Sequence, residues 1–504
     1  MIRRLMVANR GEIAVRVFRA ARELGVETVG VFPRGDAGAA HLKHCARVER
    51  LEGDDPRAAY LDIEGVVAAA RRAGADALHP GYGFLSENPE FARRVEEEGI
   101  VFVGPAPGTM EAFGVKTVAR RLAKDAGVPT VPGTDGPLGD ADEAGEAAER
   151  LGFPVLLKAS YGGGGRGIRR VEGPPGLPQA FEAATREARQ AFGNGELYME
   201  KSLSRPRHVE VQVLGDGRGA VVHLFERDCS MQRRNQKLIE ESPAPNLDEA
   251  LRRRLHADAV AVARTGRYRS AGTVEFLVTP EGHFFLEVNA RLQVEHPVTE
   301  AVTGVDIVRS QLALAGGDLA LPAQDEVRLS GHAIECRINA EDPRLNFLPA
   351  PGRVVHFDPP GGPGVRVDAG LLEGGEVSPH FDSLLAKLVV HGETREASRA
   401  RALRALEDFT VVGVPTTIPF HRAALQSAAF VSGRYDTSTV GELGPLARPS
   451  DSELEAAALA VAVARFVRPA PARAAGAQGA AGKEPPSALR GAFGPRGGGW
   501  FHEV

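Results

Sequence analysis

The sequence predicts a multidomain α/β and α+β protein. It has a doubly wound N-terminal α/β lobe, a central domain with a mobile glycine-rich lid, and a C-terminal mixed α+β domain. Three observations carry this prediction. Strands and helices alternate up to about residue 113; from Phe153 the texture turns to apolar strands with tight turns; beyond about residue 330 a mixed pattern begins with SGHAIECRINAED. A chain of 504 residues also exceeds what one core of ordinary size organises.

In the first lobe, residues 2–8 read as a short buried strand, and Ile13, Ala14, Val17, Phe18, Ala21 and Leu24 then recur at helical spacing up to Gly25. Residues 27–32 form the next strand. A helix near 62–73, a strand at 76–79, a helix near 89–98 and a strand at 100–104 complete the lobe, and such alternation implies a parallel sheet. From Phe153 the segments FPVLLKAS, IRRV, YMEKSL, HVEVQVLGDG and AVVHLFERD read as antiparallel strands. The expected domains are 1–113, 114–329 with the lid at about 131–203, 330–446, and an Ala/Pro/Gly-rich, partly disordered tail at 447–504. The tail holds an Ala-rich helix near 451–467, then a linker by composition, RPAPARAAGAQGAAGKEPP.

A hydrophobic fraction of 43% and a charged fraction of 25% are those of a folded globular protein. The net charge of -5 gives no global reason to expect nucleic-acid or membrane binding, so an anionic ligand needs a local basic site. Cys45, Cys229 and Cys336 are too few and too scattered for a disulfide framework or a zinc site, which suits a reducing cytoplasm. No apolar run reaches the roughly 18 residues needed to span a bilayer. Asn9 and Arg10 interrupt the basic start before a signal-peptide core forms.

Four segments carry chemistry. In KASYGGGGRGIRR the glycines after Lys158 would let backbone amides approach phosphate oxygens. A flexible loop tip is the competing reading, and the order of residues is not that of a Walker A loop. In TVEFLVTPEGHFFLEVNARLQVEH, Pro280-Glu281-Gly282 suits a three-residue hairpin loop, which pairs residues symmetric about 281 and sets Glu275 opposite Glu287. Like charges so placed repel unless a divalent cation lies between them. Alternation adds Asn289 to the same face, an oxygen set appropriate to Mg²⁺, while Phe276, Phe284 and Leu286 mark the other face as buried. Two solvated glutamates are the alternative.

Arg291, Gln293 and Glu295 continue at spacing two and could surround one small anion if the chain stays extended; a salt-bridged loop is the plainer option. The run ERDCSMQRRNQKLIEE, 226–241, reads either as a solvated charged face or as polar side chains entering a pocket. In the strand from His208, Val209, Val211 and Val213 face one way and Glu210 and Gln212 the other, and a lone histidine there is ordinarily structural.

Over residues 1–446 the chain resembles the biotin carboxylase family of the ATP-grasp superfamily, through VANRGEIAVRVFRA, HPGYGFLSEN, KASYGGGGRGIR, EKSLSRPRHVEVQVLGD, ERDCSMQRRNQK, EVNARLQVEHPVTE, GHAIECRINAEDP and HFDSLLAKL. The resemblance implies a ligase that carboxylates biotin with ATP, bicarbonate and Mg²⁺ or Mn²⁺. It places Lys116, Lys158, Gly164, Gly165, Glu200, Lys201, Ser202, Leu203, His208 and Asn235 at ATP. Glu275, Glu287 and Asn289 would hold metal, with the two glutamates also serving nucleotide binding. Lys237, Arg291, Gln293 and Val294 would surround bicarbonate, Glu295 would take its proton, and Arg337 would stabilise the enolate-like oxygen of biotin.

Three positions depart from the family pattern: Asn235 stands where histidine is usual, Tyr161 where glycine is, and Ser202 where tyrosine is. The last methionine is Met231 and the only lysine after Lys387 is Lys483. A biotin carboxyl carrier protein and a carboxyltransferase on other chains are therefore expected, with a homodimer from family resemblance. The ending SALRGAFGPRGGGW is similar to the region past the carboxylase domain in acyl-CoA carboxylase alpha subunits, which points toward fatty acid biosynthesis. Another ATP-grasp carboxylate-amine ligase, or a noncatalytic subunit, is the rival expectation.

Overall fold

The computed structural model describes residues 2–161 and 167–444, together with 446, 455 and 459. The chain divides into two compact units, 1–446 and 447–504. Of the second, Glu455 and Leu459 are described, both helical. The rest of the expected helix at 451–467, the linker and the ending SALRGAFGPRGGGW lie outside the described residues.

Alternation in RLMVA sends Leu5 and Val7 to one side of the first strand and Met6 and Ala8 to the other. Leu5 and Val7 pack with Ile13, Ala14, Val17 and Phe18 of the helix Gly11–Glu23. Met6 and Ala8 pack with Val66, Val67, Phe91 and Val95 of the helices Ile63–Ala73 and Pro89–Glu97. The result is a parallel sheet of β1 (Arg4–Val7), β2 (Glu27–Pro33), β3 (Arg47–Leu51), β4 (Ala77–His79) and β5 (Val101–Phe102), in the spatial order β3-β2-β1-β4-β5. Sequence patterning misses β3. RVERL exposes Arg47, Val48 and Arg50, as an edge strand can.

A small antiparallel sheet follows, β6 (Val155–Ala159), β7 (Ile168–Val171) and β8 (Leu197–Lys201), in the order β7-β6-β8. Ala144, Ala147 and Ala148 of the helix Ala141–Leu151 and Leu177 of the helix Leu177–Phe192 pack on Val155, Leu157 and Met199. Its glycine tip, with the expected ATP contacts Gly164 and Gly165, lies outside the described residues.

The largest sheet has eight antiparallel strands: β9 (Arg207–Asp216), β10 (Val221–Arg233), β11 (Gln236–Ser242), β12 (Arg269–Thr279), β13 (Gly282–Asn289), β14 (His332–Asn339), and the strands Leu384–Gly392 and Val365–Ala369. The order is β13-β12-β9-β10-β11-β14 followed by the last two. Val209, Val211 and Val213 of β9 enter the core with Leu255, Ala259 and Val262 of the helix Glu249–Thr265. The opposite face, with Glu210 and Gln212, is equally buried, under the helix His296–Thr303. Both sides of β9 are therefore closed to water. This settles the run 226–241 against a solvated face: Glu226, Arg227, Asp228, Ser230, Gln232, Glu240 and Glu241 are all buried.

The hairpin β12–β13 corrects the sequence reading in its turn. Thr279 pairs with Gly282, so the loop has two residues, Pro280 and Glu281, not three. Gly282 takes φ 143°, which side-chain-bearing residues rarely adopt. A bulge between the Phe276–Phe285 and Glu275–Glu287 pairs then inserts Leu286 and shifts the register by one. Glu275 thus faces Glu287 as expected, but through a short turn plus a bulge. The same shift buries Phe285 and Val288 and leaves Phe284 and Leu286 half-buried, contrary to simple alternation.

Among the described residues, no helix is long and apolar enough to cross a membrane. Three buried histidines are pinned as neutral rings. His79 accepts the Gly81 amide at Nδ1 (2.9 Å) and meets Gln311 Oε1 (3.2 Å); His41 meets the Val31 carbonyl (3.0 Å); His421 meets the Arg337 carbonyl (2.7 Å). Burial lowers each from 6.5 to about 4. The unfolded chain therefore binds protons first as pH falls, so their contribution is full above about 6.5 and declines toward 4. Between pH 7 and pH 5 these rings pull the melting temperature down, so His41→Gln should show a smaller loss over that range than the wild type in thermal scans, and an unchanged difference between the two pH values would contradict this.

Candidate active site

The site grows from the buried polar face of the eight-stranded sheet, where β9, β10, β11, β12 and β14 lie side by side. At its centre is Lys237 of β11. Its ammonium lies 2.6 Å from Glu210 on β9, 3.0 Å from Glu275 on β12 and 2.6 Å from Glu295. Burial works against the charge, but Cys229 and the three carboxylates raise Lys237 well above its ordinary value.

Each carboxylate has a second anchor. Glu210 takes Nε of the fully buried Arg227 at 2.6 Å, whose remaining donors go to Gln212 (2.8 Å), Thr299 (2.9 Å) and Thr273 (3.1 Å). Burial would raise Glu210, yet Arg227 and Lys237 hold it at about 2. Glu275 meets His208 Nε2 (2.8 Å), Asn289 Nδ2 (2.8 Å) and Gln293 Nε2 (3.3 Å), while the other His208 nitrogen meets Gln232 (3.2 Å). Glu295 meets Arg337 at 2.9 Å, and Arg337 is braced from behind by Glu240 at 2.6 Å. Although burial alone would raise it, Lys237, Arg337 and Arg227 keep Glu295 below the usual carboxylate range.

The loop after β13 is not extended throughout, as spacing two required. Glu295 has φ -82° and ψ 10° and sits at the start of the helix His296–Thr303. The turn brings its carboxylate back to the sheet. Arg291 spreads over Gln293 Oε1 (2.8 Å), Asn289 Oδ1 (2.9 Å) and Glu87 of the N-terminal lobe (3.2 Å). Val294 offers its carbonyl to Lys387 at 2.9 Å. Lys387 is fully buried and also meets Glu12 at 3.1 Å, while Tyr82 donates to Glu12. Gly370 permits that approach, since a Cβ there would lie 2.3 Å from the Glu12 nitrogen.

Glu287 stands opposite Glu275 in the ladder. Burial, opposed by Lys116 and assisted by the Glu275 charge, raises its carboxyl. Two opposed carboxylates and the Asn289 amide make a hard oxygen donor set suited to Mg²⁺. His208, Glu210 and Glu275 also form a group with ligand atoms within 4.8 Å of one another, as do Glu210, Cys229 and Glu295.

The other expected ATP residues lie on the small sheet and at its borders. Lys158 and Arg120 both grip Glu200. Lys201 turns to the carbonyls of Gly152 (2.7 Å) and Phe153 (3.0 Å), the Ser202 amide donates to Pro154 (3.0 Å), and Leu203 follows half-buried. The Lys116 amide donates to the Ser160 carbonyl at 3.1 Å. Asn235 is at the exposed tip of the β10–β11 hairpin, where Arg234 and Asn235 both have positive φ (49° and 65°), a turn that asparagine favours.

The structure thus gathers Lys237, His208, Glu275, Asn289, Arg291, Gln293, Glu295 and Arg337 into one network. Residue reading missed Glu210, Arg227, Glu240 and Glu87. The alternation in HVEVQV placed Glu210 and Gln212 on one face, but nothing local disclosed that this face is buried.

Three family models match the chain: biotin carboxylase, N-terminal domain, over residues 1–110; the ATP-binding domain of carbamoyl-phosphate synthase L chain over 116–322; and the biotin carboxylase C-terminal domain over 335–442. Biotin carboxylase 1 of Bacillus subtilis is 46% identical over 439 residues, 87% of this chain and 98% of that protein. A pyruvate carboxylase subunit of Methanothermobacter thermautotrophicus is 46% identical over 442 residues, covering 88% and 90% of the two chains. The crystal structure of the biotin carboxylase domain dimer of Hydrogenobacter thermophilus 2-oxoglutarate carboxylase, in complex with MgADP, ADP and bicarbonate, superposes with a TM-score of 0.86 at 45% identity, covering 89% and 100%.

The dependence of Arg227 on Glu210 is measurable. Glu210→Gln leaves a fully buried guanidinium with neutral partners only, and should cost about 3 kcal/mol of stability in denaturant unfolding. A loss under about 1 kcal/mol would show that Arg227 is compensated elsewhere.

Proposed function

The chain belongs to the biotin carboxylase family, and from that premise we propose that it uses ATP to carboxylate biotin presented by a carrier protein, through the residues around Lys237. The observation that supports this most directly is the joint placement of Glu295 against Lys237 and Arg337. It puts an ionised base between a cation suited to a small anion and a cation suited to a developing oxyanion.

In this reading bicarbonate lies among Lys237, Arg291, Gln293 and the Val294 backbone, and Glu295, ionised at neutral pH, accepts its proton. The bicarbonate oxygen attacks the γ-phosphorus of ATP, and ADP leaves, giving carboxyphosphate. That intermediate splits into CO2 and phosphate. Phosphate removes the ureido proton of biotin, whose nitrogen then attacks CO2, while Arg337 stabilises the enolate-like oxygen. Glu275, Glu287 and Asn289 would hold Mg²⁺, which shields the phosphate charge. Lys116, Lys158, Glu200 to Leu203, His208 and the lid glycines Gly164 and Gly165 would seat the nucleotide. Lid closure keeps water from carboxyphosphate.

Bicarbonate entry requires Lys237 and Arg291 to exchange some protein partners for the anion. The three donors of the Lys237 ammonium are matched by three carboxylates, so one of these contacts must give way to the anion. The carboxyl acceptor distinguishes the relatives by name, pyruvate in one and 2-oxoglutarate in another. For this chain we favour an acyl-CoA, on the likeness of its ending to acyl-CoA carboxylase alpha subunits, within an assembly of carrier, carboxyltransferase and a dimer of this chain. Co-purification of a biotinylated carrier, and assay of that assembly with acetyl-CoA, propionyl-CoA and pyruvate, test the acceptor directly.

Purified protein should release ADP in a bicarbonate-dependent manner, faster with free biotin; indifference to both ligands in protein that still binds ATP would refute the reading. Glu295→Gln should lower turnover by about 100-fold while leaving ATP affinity within about twofold. Full turnover in that variant would remove Glu295 as the base.

A further inference from the structure

Behind Arg337 lies a carboxyl group that the reaction above does not use. Glu335 of β14 is fully buried, and among the described residues neither of its carboxylate oxygens has a hydrogen-bond partner. In the ladder it is directly opposite Glu240 of β11. The Oε2 of Glu240 is likewise buried without a partner, while its Oε1 holds Arg337. Unpaired polar atoms in such a place are rare, because each forfeits its hydration. Here they occur together, on two acids facing each other.

The charged groups that act on Glu335 are Glu240 from β11, Arg337 from its own strand, Lys387 from the strand Leu384–Gly392, and Glu295 from the start of the helix His296–Thr303. The nearby cations are already committed. Arg337 serves Glu240 and Glu295, and Lys387 serves Glu12 and the Val294 carbonyl. On its other side Glu335 is paired with Val389, which packs in an apolar cluster with Val298, Val302 and Ala333. Two ionised carboxylates opposed in this setting repel at full strength. Two neutral acids would deprive Arg337 of its brace.

We propose that Glu240 and Glu335 form a carboxylic acid–carboxylate pair sharing one proton, and that Glu335 is thereby a positioning residue for Arg337. The proton satisfies Glu240 Oε2 and leaves Oε1 free to hold the guanidinium, with a single negative charge behind it. This rests on the assignment of Arg337 to the biotin oxygen. Electrostatics agree with the geometry. Burial, against Arg337 and with the Glu295 charge, pushes Glu240 up to about 7, and burial, opposed by Lys387 and Arg337 and aided by the Glu240 and Glu295 charges, holds Glu335 well above its usual range. Shared protons between close carboxyls are a known solution to this conflict.

Loss of the proton at high pH would add a second negative charge behind Arg337 and hold its guanidinium away from the oxyanion. The full chain tests this in two ways. In infrared difference spectra at pH 7, wild type minus Glu335→Gln should show the carbonyl band of a protonated carboxylic acid; Glu240→Gln provides the same subtraction should the first variant not fold. Absence of that band in both differences, or in whichever variant folds, overturns the proposal.

In kinetics, Glu335→Ala should lower biotin-stimulated kcat about tenfold with the KM for ATP within about twofold. Glu335→Gln, which can still donate to Glu240, should recover most of the loss and move the alkaline limb of kcat upward by about one pH unit or more. Equal losses in Ala and Gln with an unmoved limb would reduce Glu335 to a packing role. Biotin-stimulated ADP release by the wild type, measured alongside, separates failure of this pair from failure of the functional reading.

Discussion

Everything in the site depends on one electrostatic arrangement, the Lys237 ammonium held among Glu210, Glu275 and Glu295. None of these acids tolerates burial alone, and the lysine would lose its proton without them. Their positions come from separate parts of the chain: two adjacent strands, a hairpin strand and the first turn of a helix. The ion cluster therefore fixes the helix His296–Thr303 against the sheet. Arg227 extends it in one direction through Glu210 and Thr299, and Arg337 in the other through Glu295 and Glu240.

Much of this was legible in the amino-acid order. The doubly wound lobe follows from strand–helix alternation, and the ordered motifs identify the family. Where reading stopped short, the reasons are physical. The edge strand Arg47–Leu51 lacks an apolar signal because it has little to bury. The charged run 226–241 resembles a solvated face because composition is local, whereas its burial is decided by partners elsewhere in the chain: Arg252 and His256 at Glu226, Thr299 at Arg227, and His332 and Arg395 at Glu241.

The opposition of Glu275 and Glu287 is the most instructive case. A symmetric three-residue loop and a two-residue loop followed by a bulge give the same pairing at that distance from the turn, yet they bury different aromatic residues. Phe285, not Phe284, enters the core, and its amide donates to the Pro129 carbonyl at 2.7 Å, beside the start of the lid region. The bulge thus serves two ends at once. It aligns the acids on one side of the hairpin and offers a backbone anchor to the segment leading into the small sheet.

The central position of β9 has a consequence for motion. Hydrogen-bonded on both edges and covered on both faces, its amides belong to the most protected part of the molecule and should exchange with solvent only in global opening. The small sheet around Lys158 and Glu200 has three strands and its own apolar cluster, so it can open as a separate cooperative unit. The ion cluster around Lys237 is therefore mounted on the slowest timescale the fold provides, and the Lys158–Glu200 pair on a faster one. Opening of the small sheet can thus proceed while the ion pairs around Lys237 stay in place.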